Sequence, residues 1–354
     1  MSAGREPLGL GSAIQPWWEE VPAATLLRGP VLTARPAWGS LSQAAQAAVA
    51  GDSVLVVFDP RPFRIWTYPL DGGLPRSWGE PGRGPGEFRA LDGRIDEFGR
   101  VWAWDRGQLR VSIFDLAGGL VEEFPLWSES RSTGRFVGVG ESGCLWFVRS
   151  KLDSTSVSRL GYGREGLSAQ CVGSGTLSPR VPLPGEEHIA GWGRGSAPII
   201  PPFGRRTLIT VSAGRLWASD SDSLMIMEIG ITGVPDQVVA RPEVGEAIPP
   251  NIIGGLNPTR RRLARRHMPD GGHTTWPDLV QLWGVPGGGG WVELRDWIVR
   301  IDPDGTLRYR LALAGLPKVI GVGDEHIVTL TDDASRGAVV EVWVVDAGFA
   351  SGGG

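Results

Sequence analysis

The sequence predicts an all-β protein, a six-bladed β-propeller with one helical insertion between blades four and five. Three observations support this prediction: a strand–turn–strand unit occurs six times, the second strand of most units ends in a Gly turn, and the last unit lacks an outer strand. A short antiparallel unit cannot bury both of its faces alone, so such repeats stack around a common axis. The chain of 354 residues is long for one core but ordinary for a ring of repeats.

The repeat is clearest at residues 79–126, GEPGRGPGEFRALDGRIDEFGRVWAWDRGQLRVSIFDLAGGLVEEFPL. A Gly-rich approach ends at Phe88, and three strands are predicted at 100–105, 110–115 and 120–126. Tight turns containing Gly separate these strands, and Gly adopts the positive φ that hairpin turns require. The unit is therefore an antiparallel meander.

The six units begin with pairs of strands, and we interpret the first strand of each pair as an inner strand of its blade. The first strands are 52–59, 100–105, 144–149, 215–220, 291–296 and 326–332. The second strands are 63–72, 110–118, 156–163, 224–233, 297–305 and 339–348. An outer strand follows in every unit except the sixth. The apolar segment 25–36 is predicted to supply it, beside residues 339–346, which closes the ring and removes an exposed sheet edge.

The ring is predicted to span residues 21–348, with flexible ends at 1–20 and 349–354. Long gaps between repeats predict two insertions, at about 174–206 and 242–280. The first is rich in Gly, Pro and Ser and is interpreted as an extended loop. The second contains Asn257-Pro258, a good helix start, and then a Gly271-Gly272 stop, so a helix is predicted at 258–268.

These motifs resemble NHL repeats. The GRGPGEF approach, the GRVW and GRLW strands, the PFGRR segment and the basic segment before blade five are similar to NHL-like six-bladed propellers of environmental bacteria. Most proteins of that kind have no assigned activity, and many are exported. The first twenty residues show no basic start followed by an apolar run, so no secretory signal is predicted and the compartment stays open.

Composition limits the classes of partner. No stretch approaches the roughly 18 apolar residues of a membrane span. The formal net charge of −4 argues against nucleic acid as a partner. We expect a monomer that recognises a protein, a peptide or a small anionic ligand.

The two cysteines, Cys144 and Cys171, are too few for a disulfide framework or a Cys-based zinc site. Cys144 begins the predicted strand 144–149, and Cys171 lies on the predicted outer strand of the same blade. In a blade of four strands these are the second and the fourth, which are not neighbours. This placement favours two buried thiols over a disulfide.

The regular polar feature is an Asp at the end of the predicted inner strands: Asp59, Asp105, Asp220, Asp296 and Asp332. These acids could line the channel, and such oxygen ligands could there hold calcium. Asp in this position more commonly caps the following turn through backbone amides. Trp102, Trp146 and Trp217 also recur at one place in three repeats, which favours packing between blades over a stacking platform.

Metal and catalytic chemistry receive little support. The four histidines have no paired zinc spacing, and no nucleophile elbow or phosphate loop is present. No catalytic residue, metal ligand or cofactor is therefore assigned.

One concentrated charge feature is the basic cluster Arg260, Arg261, Arg262, Arg265 and Arg266. One interpretation is a solvated helix face, anchored by Leu263 and Met268. The other is a cationic lid over the channel mouth, suited to a carboxylate or phosphate.

Two functions remain open. The sequence favours a non-catalytic binding or scaffold ring that recognises a protein, peptide or small anionic ligand on one face. The alternative is a metal-assisted hydrolase or lyase, lactonase-like, with acidic residues at the channel. Convergence of three or more Asp, Glu or His side chains on one point of the channel favours the enzyme.

Overall fold

The computed structural model describes residues 21–27, 29–34, 46–126, 135–150, 162–172, 179–189, 206–221, 225–230, 232–240, 279–294, 296–333 and 337–347. In these residues the protein is all-β, apart from one turn of 3₁₀ helix at Glu141–Gly143. Six antiparallel sheets form the blades of a propeller, five with four strands and the sixth with five. In this described part of the chain, no helix is long and apolar enough to cross a membrane.

The strands follow one another from the axis outwards in each of the first three blades. The chain begins with β1 (Thr25–Leu26) and β2 (Leu32–Ala34), which belong to the last blade. Blade 1 contains β3 (Gln46–Ala50), β4 (Val54–Asp59), β5 (Arg64–Pro69) and β6 (Arg76–Trp78). A short parallel pair follows, β7 (Glu80–Pro81) and β8 (Glu87–Phe88). Blade 2 contains β9 (Asp92–Ile95), β10 (Val101–Asp105), β11 (Arg110–Phe114) and β12 (Leu120–Pro125). Blade 3 contains β13 (Arg135–Val139), β14 (Leu145–Ser150), β15 (Tyr162–Val172) and β16 (Val181–Ile189).

The remaining blades repeat the same order. Blade 4 contains β17 (Thr207–Ser212), β18 (Arg215–Asp220), β19 (Met225–Ile229) and β20 (Pro235–Ala240). Blade 5 contains β21 (Leu279–Gly284), β22 (Gly290–Leu294), β23 (Trp297–Ile301) and β24 (Leu307–Ala312). Blade 6 contains β25 (Lys318–Val322), β26 (His326–Asp333) and β27 (Gly337–Asp346).

The predicted ring closure is confirmed. Both β1 and β2 pair antiparallel with β27, so the start of the chain supplies the outer strands of the last blade. The register places Thr25 opposite Asp346 and Leu32 opposite Val342. Pairing covers the outer edge of β27, which would otherwise be open to other strands.

Packing between neighbouring blades forms the core. Six clusters of buried apolar residues correspond to the six blade interfaces, including the interface between blades 6 and 1. Trp102, Trp146 and Trp217 are each at most 3 % exposed and lie in three different clusters. The prediction that these indoles pack between blades is therefore confirmed.

The segments predicted as inner strands do form strands, but they are not the strands nearest the axis. Each is the second strand of its blade, and the innermost strands are β3, β9, β13, β17, β21 and β25, ahead of them in the chain. Innermost strands of neighbouring blades approach so closely that a Cβ on Gly321 would overlap the Ala47 carbonyl oxygen. Small residues and glycines therefore interrupt the alternating pattern by which strands are recognised.

Blade 3 corrects two further predictions. Its third strand is β15, residues 162–172, rather than 156–163, and its outer strand β16 lies within the predicted loop insertion 174–206. Cys171 is therefore on the third strand, next to the second, and it forms a disulfide with Cys144 across 27 residues of chain. The prediction of two buried thiols is wrong because it assigned Cys171 to the fourth strand.

The predicted helix at 258–268 and most of the insertion 242–280 lie outside the described residues. The same holds for the predicted flexible ends, 1–20 and 349–354.

Candidate functional site: the axial channel

The blades surround a channel with a cavity of about 580 Å³, lined by residues of all six innermost strands. These strands run in the same direction along the axis, so their first residues meet at one end and their last residues at the other. Apolar side chains such as Val137, Ile209 and Ile320 form much of the wall. The charged groups are concentrated near the two ends.

Three exposed cationic side chains surround the end where the innermost strands begin. Arg135 is the first residue of β13, Arg206 directly precedes β17, and Lys318 is the first residue of β25. All three line the cavity. We call this group the cationic mouth.

Arg94 connects three innermost strands at the same end. Its Nε donates to the Val137 carbonyl oxygen at 2.8 Å, and its Nη1 donates to the Asp92 carboxylate at 2.9 Å and to the Gln46 side chain. The guanidinium also lies over the Phe136 ring, 5.6 Å from its centroid. Because these partners belong to blades 1, 2 and 3, Arg94 holds the mouth together and has few donors left for a ligand.

Glu293 is a half-buried carboxyl of the second strand of blade 5 that also lines the cavity. The Trp283 indole donates to its Oε2 at 3.3 Å. Burial raises the pKa of the Glu293 carboxyl above its usual range, while the Trp283 hydrogen bond and the charges of Arg206 and Lys318 oppose the rise. A carboxyl with a raised pKa in a cavity is a common feature of catalytic and specificity sites.

At the other end, Asp96 follows β9 and lines the cavity with Glu97. The Asp96 carboxylate accepts hydrogen bonds from the backbone amides of Phe98 and Arg100, from the Arg100 Nε at 2.7 Å and from the Trp102 indole at 2.8 Å. The channel is therefore cationic where the innermost strands begin, whereas at the other end Asp96 is paired with Arg100 and Glu97 is an exposed carboxylate.

The aspartates predicted from the sequence lie at the ends of the second strands. Asp105 accepts hydrogen bonds from the amides of Arg89, Ala90, Gly107 and Gln108, so it caps turns as Asp commonly does. Asp59 is buried and accepts from the Arg61 amide at 3.0 Å.

The other three predicted acids occupy equivalent places in their blades. Asp220 ends β18, Asp296 is exposed beyond β22, and the Asp332 backbone pairs with Ala338. Of the five, the four with described side chains are not among the residues that line the cavity.

The basic cluster Arg260, Arg261, Arg262, Arg265 and Arg266 lies outside the described residues, so its position relative to the mouth stays a prediction. Within the described part of the chain, no group of three or more His, Cys, Asp or Glu side chains is arranged to hold a metal ion.

Sequence reasoning missed the cationic mouth and Glu293. A signal for the mouth was present, because a basic residue directly precedes or begins the short segments RFVGV, RTLITVS and KVIGV. These segments were not recognised as innermost strands, so their shared basic start was not compared. Glu293 has no repeated counterpart that would distinguish it.

Comparison with known proteins supports the fold alone. No family model matches the chain, and a search of curated proteins found no match. Among solved structures, a member of the DUF4221 family from Bacteroides vulgatus is similar at 9 % identity with a TM-score of 0.52, covering 92 % of this chain and 99 % of that one.

Two other solved structures are less similar. A Bacteroides fragilis protein named as a candidate exported protein has 13 % identity and a TM-score of 0.49, over 92 % of this chain and 94 % of that one. A protein named as a candidate gluconolactonase has 14 % identity and a TM-score of 0.44, over 94 % and 96 %. Likeness at this level carries no functional argument.

Proposed function

We propose that the protein is a non-catalytic binding ring whose axial cavity takes a small anionic molecule, a carboxylate or a phosphate. The cationic mouth is the observation that carries this proposal. Its three side chains come from three different blades and surround one cavity of about 580 Å³, within the roughly 300–1,000 Å³ typical of small-molecule sites. Charge-assisted hydrogen bonds from guanidinium and ammonium groups suit carboxylate and phosphate oxygens.

The charge balance at this end supports an anion over a cation. Among the residues that the structure describes, four cationic side chains (Arg94 and the cationic mouth) face two carboxylates, Asp92 and Glu293, although the whole chain has a net charge of −4. Asp92 is already paired with Arg94 at 2.9 Å. The apolar, low-dielectric walls of the cavity focus the electric field of this excess positive charge, which strengthens its attraction for a bound anion.

Removing the cationic mouth should abolish most of the affinity for a multivalent anion. We expect the triple variant Arg135→Gln/Arg206→Gln/Lys318→Gln to bind tricarballylate at least about 30-fold more weakly, because each charge-assisted contact contributes about 1.5–3 kcal/mol. Its melting temperature should fall only slightly, since all three side chains are exposed and the removed contacts, such as that of Arg206 with the Val280 carbonyl oxygen, lie at the surface. Titration calorimetry with tricarballylate and with inorganic phosphate measures the change.

The matched control is Arg76→Gln/Arg89→Gln/Arg106→Gln, which removes the same charge from exposed arginines that do not line the cavity. This variant should bind both anions as the parent protein does. Equal affinities of the two triple variants, or a parent protein that binds neither anion, would contradict the proposal.

Glu293 should make anion binding depend on pH. Because burial raises its pKa, the carboxyl is neutral below that folded-state pKa and ionised above it, where it repels an anion held by Arg206 and Lys318. Tricarballylate affinity, corrected for the ligand's own titration, should therefore fall as pH rises through the Glu293 pKa. In Glu293→Gln this fall should disappear. An identical pH profile in parent and variant would show that Glu293 does not face the ligand.

Glu293 should also make the folding stability depend on pH, between its unfolded-state and folded-state pKa values. A raised folded-state pKa contributes stability that is full below the unfolded-state value near 4.3 and is lost as pH rises through the folded-state value. Glu293→Gln should therefore be closest to the parent protein below the unfolded-state pKa and relatively more stable above the folded-state pKa, as measured by urea unfolding.

We also propose that the protein folds in an oxidising compartment outside the cytoplasm. The buried Cys144–Cys171 disulfide supports this, since structural disulfides persist in exported proteins and are rare in reducing cytosol. Thiol titration of protein recovered from periplasm and from cytoplasm tests the assignment, and two free thiols in the periplasmic sample would refute it.

A second candidate function is a lactonase-like hydrolase or a lyase that uses acidic residues at the channel, with calcium as the metal. Glu293 is the observation that favours it, because a half-buried carboxyl with a raised pKa in a cavity has the character of a general acid or base. Lactone hydrolysis that requires both calcium and Glu293 would replace the binding ring with this enzyme.

A further inference from the structure

We propose a second binding site, independent of the axial anion site, that takes a basic peptide segment of a partner protein. The site is a cleft of about 410 Å³ between blades 2 and 3, at the end of the channel opposite the cationic mouth. We call it the aromatic cleft and define it by Phe98, Trp102 and Phe124 with Glu97 and Glu122.

The cleft extends outwards from the channel across one face of blade 2. Its side chains form a row across the sheet: Trp102 on β10 is in register with Ile113 on β11, which is in register with Glu122 on β12. Asp96 and Gly214 lie at its inner end, and Glu122 and Phe124 lie on the outermost strand. This shape suits an extended chain that runs from the channel to the rim.

The opposite wall has almost no side chains, which keeps the cleft open. Blade 3 contributes Gly140 and Gly143, and the next blade contributes Gly214. Gly143 has a φ of +74°, and a Cβ there would stand 3.3 Å from the Trp102 ring. Elsewhere side chains fill the interface between blades 2 and 3. The Trp104 and Phe147 rings meet there edge to face, with their centroids 5.3 Å apart.

The aromatic groups of the cleft are arranged to contact cations. The Arg100 guanidinium lies 5.2 Å from the Phe98 ring centroid and 5.5 Å from that of Trp102, and Asp96 holds it in place at 2.7 Å. The Phe98 ring is 73 % exposed at the tip of its turn. A large exposed aromatic side chain beside a cleft provides apolar contact for the stem of a lysine or arginine.

Charge indicates which occupant fits. Arg100 and Asp96 neutralise each other, whereas the Glu97 and Glu122 side chains are exposed and, within the described part of the chain, make no hydrogen bond or ion pair. Two unpaired carboxylates beside aromatic rings complement a segment that carries Lys or Arg, and they repel an acidic one.

The test is calorimetric titration of the full chain with acetyl-pentalysine amide at low ionic strength. We expect the parent protein to bind it, Glu97→Gln/Glu122→Gln to bind it about 10-fold more weakly or worse, and Phe98→Ser to bind it about 5-fold more weakly. A peptide of five Nε-acetyl-lysines should not bind, because it lacks the charge.

The matched control is Glu80→Gln/Glu341→Gln, which removes the same charge from two residues that do not line the cleft. It should bind acetyl-pentalysine amide as the parent protein does. The proposal is overturned if the parent protein does not bind this peptide, or if the control loses as much affinity as Glu97→Gln/Glu122→Gln. The Arg135→Gln/Arg206→Gln/Lys318→Gln variant should retain the peptide, so failure here is distinguishable from failure of the axial site.

Discussion

Replacing Ala34 by lysine is expected to destabilise the protein by about 3–5 kcal/mol, because a buried ammonium group loses its hydration and its pKa falls by several units. Ala34 is 4 % exposed and packs in the core cluster between blades 6 and 1. The strand that carries it, β2, closes the ring by pairing with β27. Urea unfolding followed by tryptophan fluorescence measures the loss.

The neighbouring position provides the control. Thr33 is exposed on the same strand and lies opposite Glu341, so Thr33→Lys should change stability by less than about 0.5 kcal/mol. If residues 32–34 did not pair with β27, the two lysine variants would have similar stabilities. That result would refute closure by the start of the chain.

Removing the disulfide is expected to lower the free energy of unfolding by about 3–4 kcal/mol. A cross-link that spans 27 residues reduces the conformational entropy of the unfolded chain, which raises its free energy by that amount. Cys144 and Cys171 are buried in the cluster between blades 3 and 4, and their sulfurs pack against Gly140. Cys144→Ala/Cys171→Ala should therefore show a lower urea midpoint than the oxidised parent protein.

Reduction distinguishes the cross-link from the packing of the sulfur atoms. The parent protein in dithiothreitol should lose most of the same stability, while the double variant should not respond to the reductant. Thiol titration in denaturant should find no free thiol before reduction and two afterwards. Two free thiols in the untreated protein would contradict the disulfide.

Much of the ring follows from local sequence. The second and third strands carry alternating or continuous apolar residues bounded by Gly turns, so the repeat count could be predicted from them. The missing outer strand of the last unit predicted closure by residues 25–36, and β1 and β2 confirm it within that range. The turn-capping interpretation of Asp105 also holds.

The innermost strands could not be recognised in the same way. Segments such as Gln46–Ala50 and Asp92–Ile95 are short, and neighbouring backbones press against them, which selects small residues instead of an alternating pattern. The residues that line the channel lie on these strands. The candidate site therefore has no clear signature in the sequence, and the regular aspartates that the sequence does show lie one strand further out.

The prediction for blade 3 is wrong for a different reason. A long third strand, Tyr162–Val172, pairs over most of its length with an outer strand in a Pro-rich and Gly-rich stretch that local propensity assigns to a loop. Pairing partners distant in sequence outweigh such propensity. The disulfide depends on this register, because it brings Cys171 opposite Trp146 and beside Cys144.

The two ends of the channel are proposed to bind ligands of opposite charge. NMR of the protein labelled at its tryptophan indole groups tests this most directly. The variants Trp283→Phe and Trp102→Phe assign the Trp283 and Trp102 signals. Trp283 lines the axial cavity beside Glu293, and Trp102 lines the aromatic cleft. Tricarballylate should shift the Trp283 signal and leave Trp102 in place, and acetyl-pentalysine amide should do the reverse. A Trp283 signal that does not move with saturating tricarballylate would contradict the account.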